Sequence, residues 1–120
     1  MEARILLVDD DRLLREVISE YLVLNGYNVD MAEDATHALT KFQPGRYELA
    51  LIDLVLPGMN GLELMQTLVA QDSEIFCLIM TGYPTIDSAY KSMVEGASDY
   101  IIKPFQLSEL LSAIQQHLEP

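Results

Sequence analysis

Residues 4–11 read Arg4-Ile5-Leu6-Leu7-Val8-Asp9-Asp10-Asp11: four apolar side chains in a row, broken off by three carboxylates. An apolar run this short suits a strand covered on both faces better than a core helix. The pattern recurs at Asn28 to Ala32, Tyr47 to Ile52, Ile75 to Met80 and Tyr100 to Ile102, giving with Arg4 to Val8 five candidate strands. Stretches whose apolar residues return every three or four positions separate them. Such alternation predicts repeated βα units, and hence an α/β class with a doubly wound five-stranded parallel sheet. The common strand order for five strands is 2-1-3-4-5, which sets strands 1 and 3 side by side and opens a crevice where their carboxyl ends diverge.

The helical stretches can be placed by their stripes. The first carries Leu13, Leu14, Val17, Ile18, Tyr21 and Leu22 and stops at Asn25-Gly26, where a left-handed residue is expected. The second has Ala35, Ala38, Leu39 and Phe42 before Pro44-Gly45, and the third Leu62, Met65, Leu68 and Val69. The fourth, with Thr85 as its N-cap, carries Ile86, Ala89, Tyr90, Met93 and Val94, and the fifth carries Leu107, Leu110, Leu111, Ile114 and Leu118. No linker, repeat or low-complexity tract interrupts this order, so residues 1–120 are expected to form one domain.

Composition narrows the function. A chain of 120 residues with 50% apolar content buries enough surface to fold without disulfide or structural metal. Its single cysteine, Cys77, lies in an apolar run and reads as a buried, inert thiol, in keeping with a reducing, cytoplasmic setting. Nineteen acidic against seven basic residues give a net charge of −12, which argues against binding nucleic acid or anionic lipid. No apolar run approaches the ~18 residues of a membrane span.

The chemistry gathers at the predicted strand ends. Strand 1 stops at Asp9, Asp10 and Asp11, strand 3 at Asp53, strand 4 at Thr81 and strand 5 at Lys103-Pro104. Any one of these has an ordinary reading, and Asp11 is the expected N-cap of helix 1. Together, Asp9, Asp10 and Asp53 at adjoining strand ends would repel one another unless a cation sat among them. All-oxygen ligation points to magnesium, since no histidine or cysteine shares the site and His37 and His117 fall on helices. A lysine and a hydroxyl facing a metal-bound carboxylate suit a phosphoryl acceptor: Asp53 as nucleophile, Thr81 and Lys103 on the phosphoryl oxygens.

These residues resemble the receiver domains of two-component response regulators. The matching stretches are Ile5 to Asp11, Leu51-Ile52-Asp53-Leu54 with Pro57-Gly58-Met59-Asn60-Gly61, Ile79-Met80-Thr81-Gly82, and Gly96 to Phe105. The resemblance implies a flavodoxin-like (βα)5 fold with Asp53 as phosphoacceptor. It implies Asp10 as a direct magnesium ligand, Asp9 acting largely through water, and the Val55 carbonyl completing the protein's share of the metal shell. It further implies a cis Lys103-Pro104 peptide and Tyr100 as an aromatic switch that turns inward when Thr81 is drawn toward the phosphate. Its partners would be a histidine kinase or phosphotransfer protein as donor, and a second copy in a phosphorylation-promoted homodimer. Its output would pass through the helix 4, strand 5 and helix 5 surface to an output domain, transcriptional or otherwise, or to a partner protein. The domain would catalyse only its own phosphorylation and dephosphorylation.

Other readings fit less well. A flavodoxin-like cofactor domain calls for a Ser/Thr/Gly-rich phosphate cradle after strand 1, where this chain has acids. A phosphatase resembling the haloacid dehalogenases carries its nucleophile after the first strand and usually a cap domain. A protein-binding module that is never phosphorylated stays open as the alternative. Val55 and Tyr83, flanking the path of an attacking water, offer no strong base, so slow self-dephosphorylation is expected, while Gly82 leaves room beside the acceptor. The early first strand and the stop at Pro120 suggest the amino-terminal part of a regulator, with a linker to begin there. The absence of an arginine early in helix 5, where Gln106, Leu107 and Ser108 precede Glu109, resembles receivers of enhancer-binding activators more than those of the winged-helix class.

Overall fold

Each βα unit forms as the periodicity predicts, and the computed structural model describes residues 2–119. In chain order the elements are β1 (Arg4–Val8), α1 (Arg12–Leu24), β2 (Asn28–Ala32), α2 (Ala35–Lys41), β3 (Leu49–Asp53), α3 (Gly61–Gln71), β4 (Phe76–Thr81), α4 (Ile86–Val94), β5 (Asp99–Ile102) and α5 (Leu107–Leu118). Pro120, where a linker was expected to begin, lies outside the described residues. All strand pairs are parallel and the order is β2-β1-β3-β4-β5.

Side chains that alternate along each strand divide the core in two. Leu6, Val8, Ala50, Ile52, Cys77 and Ile79 meet α2 and α3 on one face. On the other, Ile5, Leu7, Leu49, Leu51, Leu78 and Met80 meet Ile18 and Leu22 of α1 and Leu110 and Ile114 of α5. The central strands therefore read as unbroken apolar runs because both of their faces are covered. Edge strands are covered less: Ile102, the residue before Lys103, is 53% exposed.

Several boundaries move from their sequence positions. Strand β3 begins at Leu49 rather than Tyr47, because Tyr47 is buried ahead of it with its hydroxyl on Asp30 Oδ2 at 2.7 Å. Strand β4 runs from Phe76 through Thr81, and β5 begins at Asp99. Two helices also present more apolar surface than their stripes suggest. Leu13 and Val17 of α1 face outward, leaving Ile18 and Leu22 as its buried anchors. On α4 the stripe is turned away from the sheet, with Ile86 92%, Tyr90 69% and Val94 66% exposed. The buried residue of α4 is Ser92, whose hydroxyl donates to the Ser88 carbonyl at 2.7 Å. Periodicity reveals that a stripe exists and leaves its direction to the packing partner. His37 is exposed, whereas His117 is half-buried against the Phe76 ring, centroids 5.1 Å apart.

One close approach sets the position of the β3 terminus. Asn60 caps α3 by accepting from the Glu63 N–H at 2.9 Å, and the Gly61 N–H donates to the Leu54 carbonyl at 2.9 Å. A Cβ on Gly61 would stand 2.1 Å from the Asp53 carbonyl oxygen and 2.8 Å from Leu54 Cα. Only hydrogen fits there, so α3 must move away from β3 if any side chain is added. Gly61→Ala is expected to cost about 3 kcal/mol, as overpacking against backbone does. Urea unfolding would show this as a lower midpoint; an unchanged midpoint would mean the approach is not tight.

Candidate functional site

Strands β1 and β3 are neighbours and end level with each other, which brings Asp9 and Asp53 together at the carboxyl edge of the sheet. Asp9 is fully buried and Asp53 is 8% exposed. Asp10, the next residue along, is exposed. One carboxylate oxygen from each of Asp9, Asp10 and Asp53 lies within 4.8 Å of the other two.

Lys103 reaches this cluster from beyond β5. Its ammonium donates to Asp9 Oδ2 at 2.7 Å and to Asp53 Oδ2 at 2.9 Å. The remaining oxygens are held by backbone: Asp9 Oδ1 accepts from the Asp11 N–H at 2.9 Å, and Asp53 Oδ1 from the Val55 N–H at 3.0 Å. Burial pushes the Asp53 carboxyl above the usual carboxylate range, and Asp9 adds to this, while Lys103 and the Val55 N–H pull it back only in part. Burial would also strip the proton from Lys103, but hydrogen bonds to Asp9 and Asp53 outweigh it and hold the ammonium above its ordinary value. Three carboxylates against one ammonium leave two negative charges unbalanced. That charge and an all-oxygen donor set fit a hard divalent cation.

The other sequence candidates lie close by but are engaged elsewhere. Thr81 is fully buried, its hydroxyl accepting from the Tyr83 N–H at 3.1 Å, and its carbonyl accepts from the Lys103 N–H at 2.8 Å. The Lys103-Pro104 peptide is cis. Tyr100 packs against the core on the α2 and α3 side of the sheet, and its hydroxyl meets Ser88 Oγ at 2.8 Å. Val55 and Tyr83 are exposed, at 53% and 79%. Tyr83, Gly82, Leu14, Lys103, Pro104 and Phe105 line a cavity of about 450 Å³ that opens beside the cluster. Asp11 caps α1, accepting from the Leu14 N–H at 3.2 Å.

Two contributors escaped the sequence reading. Arg15 donates through Nη1 to the Asp9 carbonyl at 2.8 Å, and Ser88 joins the α4 capping box to Tyr100. Both look like ordinary surface residues in a helical stretch; a basic residue one turn into helix 1 of so acidic a chain was the only available signal for Arg15.

Comparison with known proteins places this geometry. Residues 5–115 match the model of the response regulator receiver domain. The response regulator FleR of Pseudomonas aeruginosa is 36% identical over 117 residues, covering 98% of this chain and 25% of that protein. A CheY-like receiver domain from Methanospirillum hungatei superposes with a TM-score of 0.94 at 33% identity, covering 99% of this chain and 95% of that one. A response regulator from Burkholderia pseudomallei, solved with a phosphorylated aspartic acid and a calcium ion, gives 0.85 at 28% identity over 95% of this chain and 67% of its own. The chain thus belongs to the response regulator receiver domain family, the signalling modules of two-component systems. It spans about a quarter of FleR's length. Among the described residues no helix is long and apolar enough to cross a membrane.

The raised Asp53 pKa has a measurable sign. The folded protein binds the Asp53 proton more tightly than the unfolded chain, so stability falls as pH rises from the ordinary carboxylate range through the raised value. Without metal at pH 7, Asp53→Asn is expected to raise the melting temperature by roughly 3–6 °C, about 1 kcal/mol for a chain of this size, and the gain should vanish below about pH 4. Asp10→Ala should gain less, because Asp10 is exposed. A lower melting temperature for Asp53→Asn at pH 7 would mean that Lys103 overcompensates the repulsion.

Proposed function

We propose that this chain accepts a phosphoryl group on Asp53 from a phosphohistidine of a histidine kinase or phosphotransfer protein. The observation that carries this reading is the Lys103 ammonium shared between two nearly buried carboxylates at 2.7 and 2.9 Å. A carboxylate oxygen of Asp53 attacks phosphorus, the P–N bond breaks, and the donor imidazole, protonated on its other ring nitrogen, leaves with the electron pair as the neutral ring. Magnesium, held by Asp10, Asp53 and the Val55 carbonyl, with Asp9 acting through water, would neutralise charge on the transferring group. Once the Asp53 oxygen is part of the acyl phosphate, the Lys103 ammonium is free to follow the new charge onto a phosphoryl oxygen. The Thr81 hydroxyl can do likewise by exchanging the Tyr83 N–H for a phosphoryl oxygen. Drawing Thr81 inward vacates space toward which Tyr100 turns, at the expense of its hydrogen bond to Ser88. The phosphorylated aspartic acid and calcium ion of the Burkholderia relative support the same chemistry here.

The signal leaves through α4 and β5 in this reading. Ile86, Ala89, Tyr90, Met93 and Val94 line an apolar surface on α4, in a chain whose net charge of −12 otherwise keeps copies apart. A second copy of the chain is the occupant we favour, since Asp87 and Lys91 pair with each other at 3.4 Å and leave this helix locally neutral. Control of an output domain follows from that association. The domain turns over no metabolite, and its work is confined to the cytoplasm, where its phosphodonor would be made.

Intact mass after incubation with acetyl phosphate tests this. Wild type should gain one phosphoryl group only when magnesium is present, Asp53→Asn should gain none, and the phosphorylated sample should sediment as a dimer that Tyr90→Glu prevents. No gain in wild type would favour a protein-binding module that is never phosphorylated.

The lifetime of the phosphoryl group is a separate expectation. Val55 and Tyr83, two residues beyond Asp53 and Thr81, are exposed, and neither is a strong general base for an attacking water. Val55→Asn together with Tyr83→Glu should shorten the half-life at least severalfold; an unchanged half-life removes the idea.

A further inference from the structure

We propose that Arg15 is a positioning residue for the cation site: it orients the Asp9–Asp10 peptide and thereby fixes the Cα from which the Asp10 carboxylate reaches the site. The inference rests on the cation reading above and assigns a role to a residue outside the acid cluster.

Arg15 sits one turn into α1, its own N–H donating to the Asp11 carbonyl at 2.9 Å. Long helical side chains lean back toward the helix N-terminus. This one does, and Nη1 reaches the Asp9 carbonyl at 2.8 Å. Among the described residues Arg15 makes no ion pair with a carboxylate, although it stands beside the most acidic corner of an acidic chain. A guanidinium there would ordinarily pair with an acid, so its use on a backbone carbonyl reports a geometric demand.

That demand follows from planarity. The Asp9 carbonyl, the Asp10 nitrogen and the Asp10 Cα share one peptide plane, so holding the carbonyl oxygen holds the Asp10 Cα. Asp9 is also fixed on its other side, its N–H donating to the Ala32 carbonyl at 3.2 Å, and at both carboxylate oxygens. The exposed Asp10 has no comparable tether of its own and inherits its position from the plane that Arg15 fixes. Groups that orient a ligand in this way are commonly worth about 10-fold or more in metal affinity.

Charge alone predicts the opposite sign. A guanidinium beside a cation site repels the cation, so deleting it should tighten binding if Arg15 were only a charge. Magnesium titration by calorimetry at fixed ionic strength, on wild type, Arg15→Ala and Arg15→Lys, separates the two. Metal-free melts confirm that each variant is folded at the titration temperature. Arg15→Ala should weaken magnesium binding about 10-fold, and Arg15→Lys, which keeps a donor, should recover part of the loss. Should Arg15→Ala not fold, Arg15→Met, which keeps the apolar stem and no donor, takes its place with the same expected weakening. Equal or tighter binding without Arg15, or a lower melting temperature with unchanged affinity, overturns the proposal while leaving the cation reading intact. Failure of wild type to bind magnesium overturns both.

Discussion

The ammonium of Lys103 stands between two carboxylates that the sheet topology forces into contact. Parallel pairing of β1 with β3 sets Asp9 and Asp53 at adjacent strand ends, where like charges would otherwise drive the strands apart. Lys103 comes from beyond the opposite edge strand, and its backbone N–H is tied to Thr81 of β4. One cation thus couples β1, β3 and β5, and it compensates only part of the negative charge. The charge that it leaves uncompensated is what fits the cluster to a hard divalent cation.

Much of this was legible because the signals are backbone signals. Unbroken apolar runs at β1, β3 and β4 announce strands covered on both faces, and the acids at the ends of β1 and β3 mark the candidate functional edge. The direction in which α4 turns its stripe was not legible. Ser88 and Ser92 form its inner side, and small polar residues satisfied by one another leave no trace in a hydrophobic pattern. Nor was Arg15 legible in its role, because its partner is a carbonyl that every residue possesses. The Tyr47 misplacement has the same root: a buried tyrosine whose hydroxyl is met by Asp30 reads as a strand residue by propensity alone.

Ser88 shows how the inner side of α4 is connected. Its hydroxyl oxygen accepts from the Thr85 N–H at 3.2 Å, closing the capping box, and also meets the Tyr100 hydroxyl at 2.8 Å. The ring position of a β5 residue and the first turn of α4 therefore share a single oxygen. Movement at Tyr100 need not propagate through the core to alter the start of α4, because the two are already hydrogen-bonded.

Asp9 and Lys103 are 94 positions apart, which gives the cluster a history as well as a geometry. A chain emerging from the ribosome presents Asp9 and Asp10 well before Lys103, which follows all five strands. Until β5 docks, the acid corner is an open, self-repelling surface rather than a pocket. Assembly of the site thus waits for β5, and a chain stopped before it carries the Asp53 carboxylate without the ammonium that holds it in place.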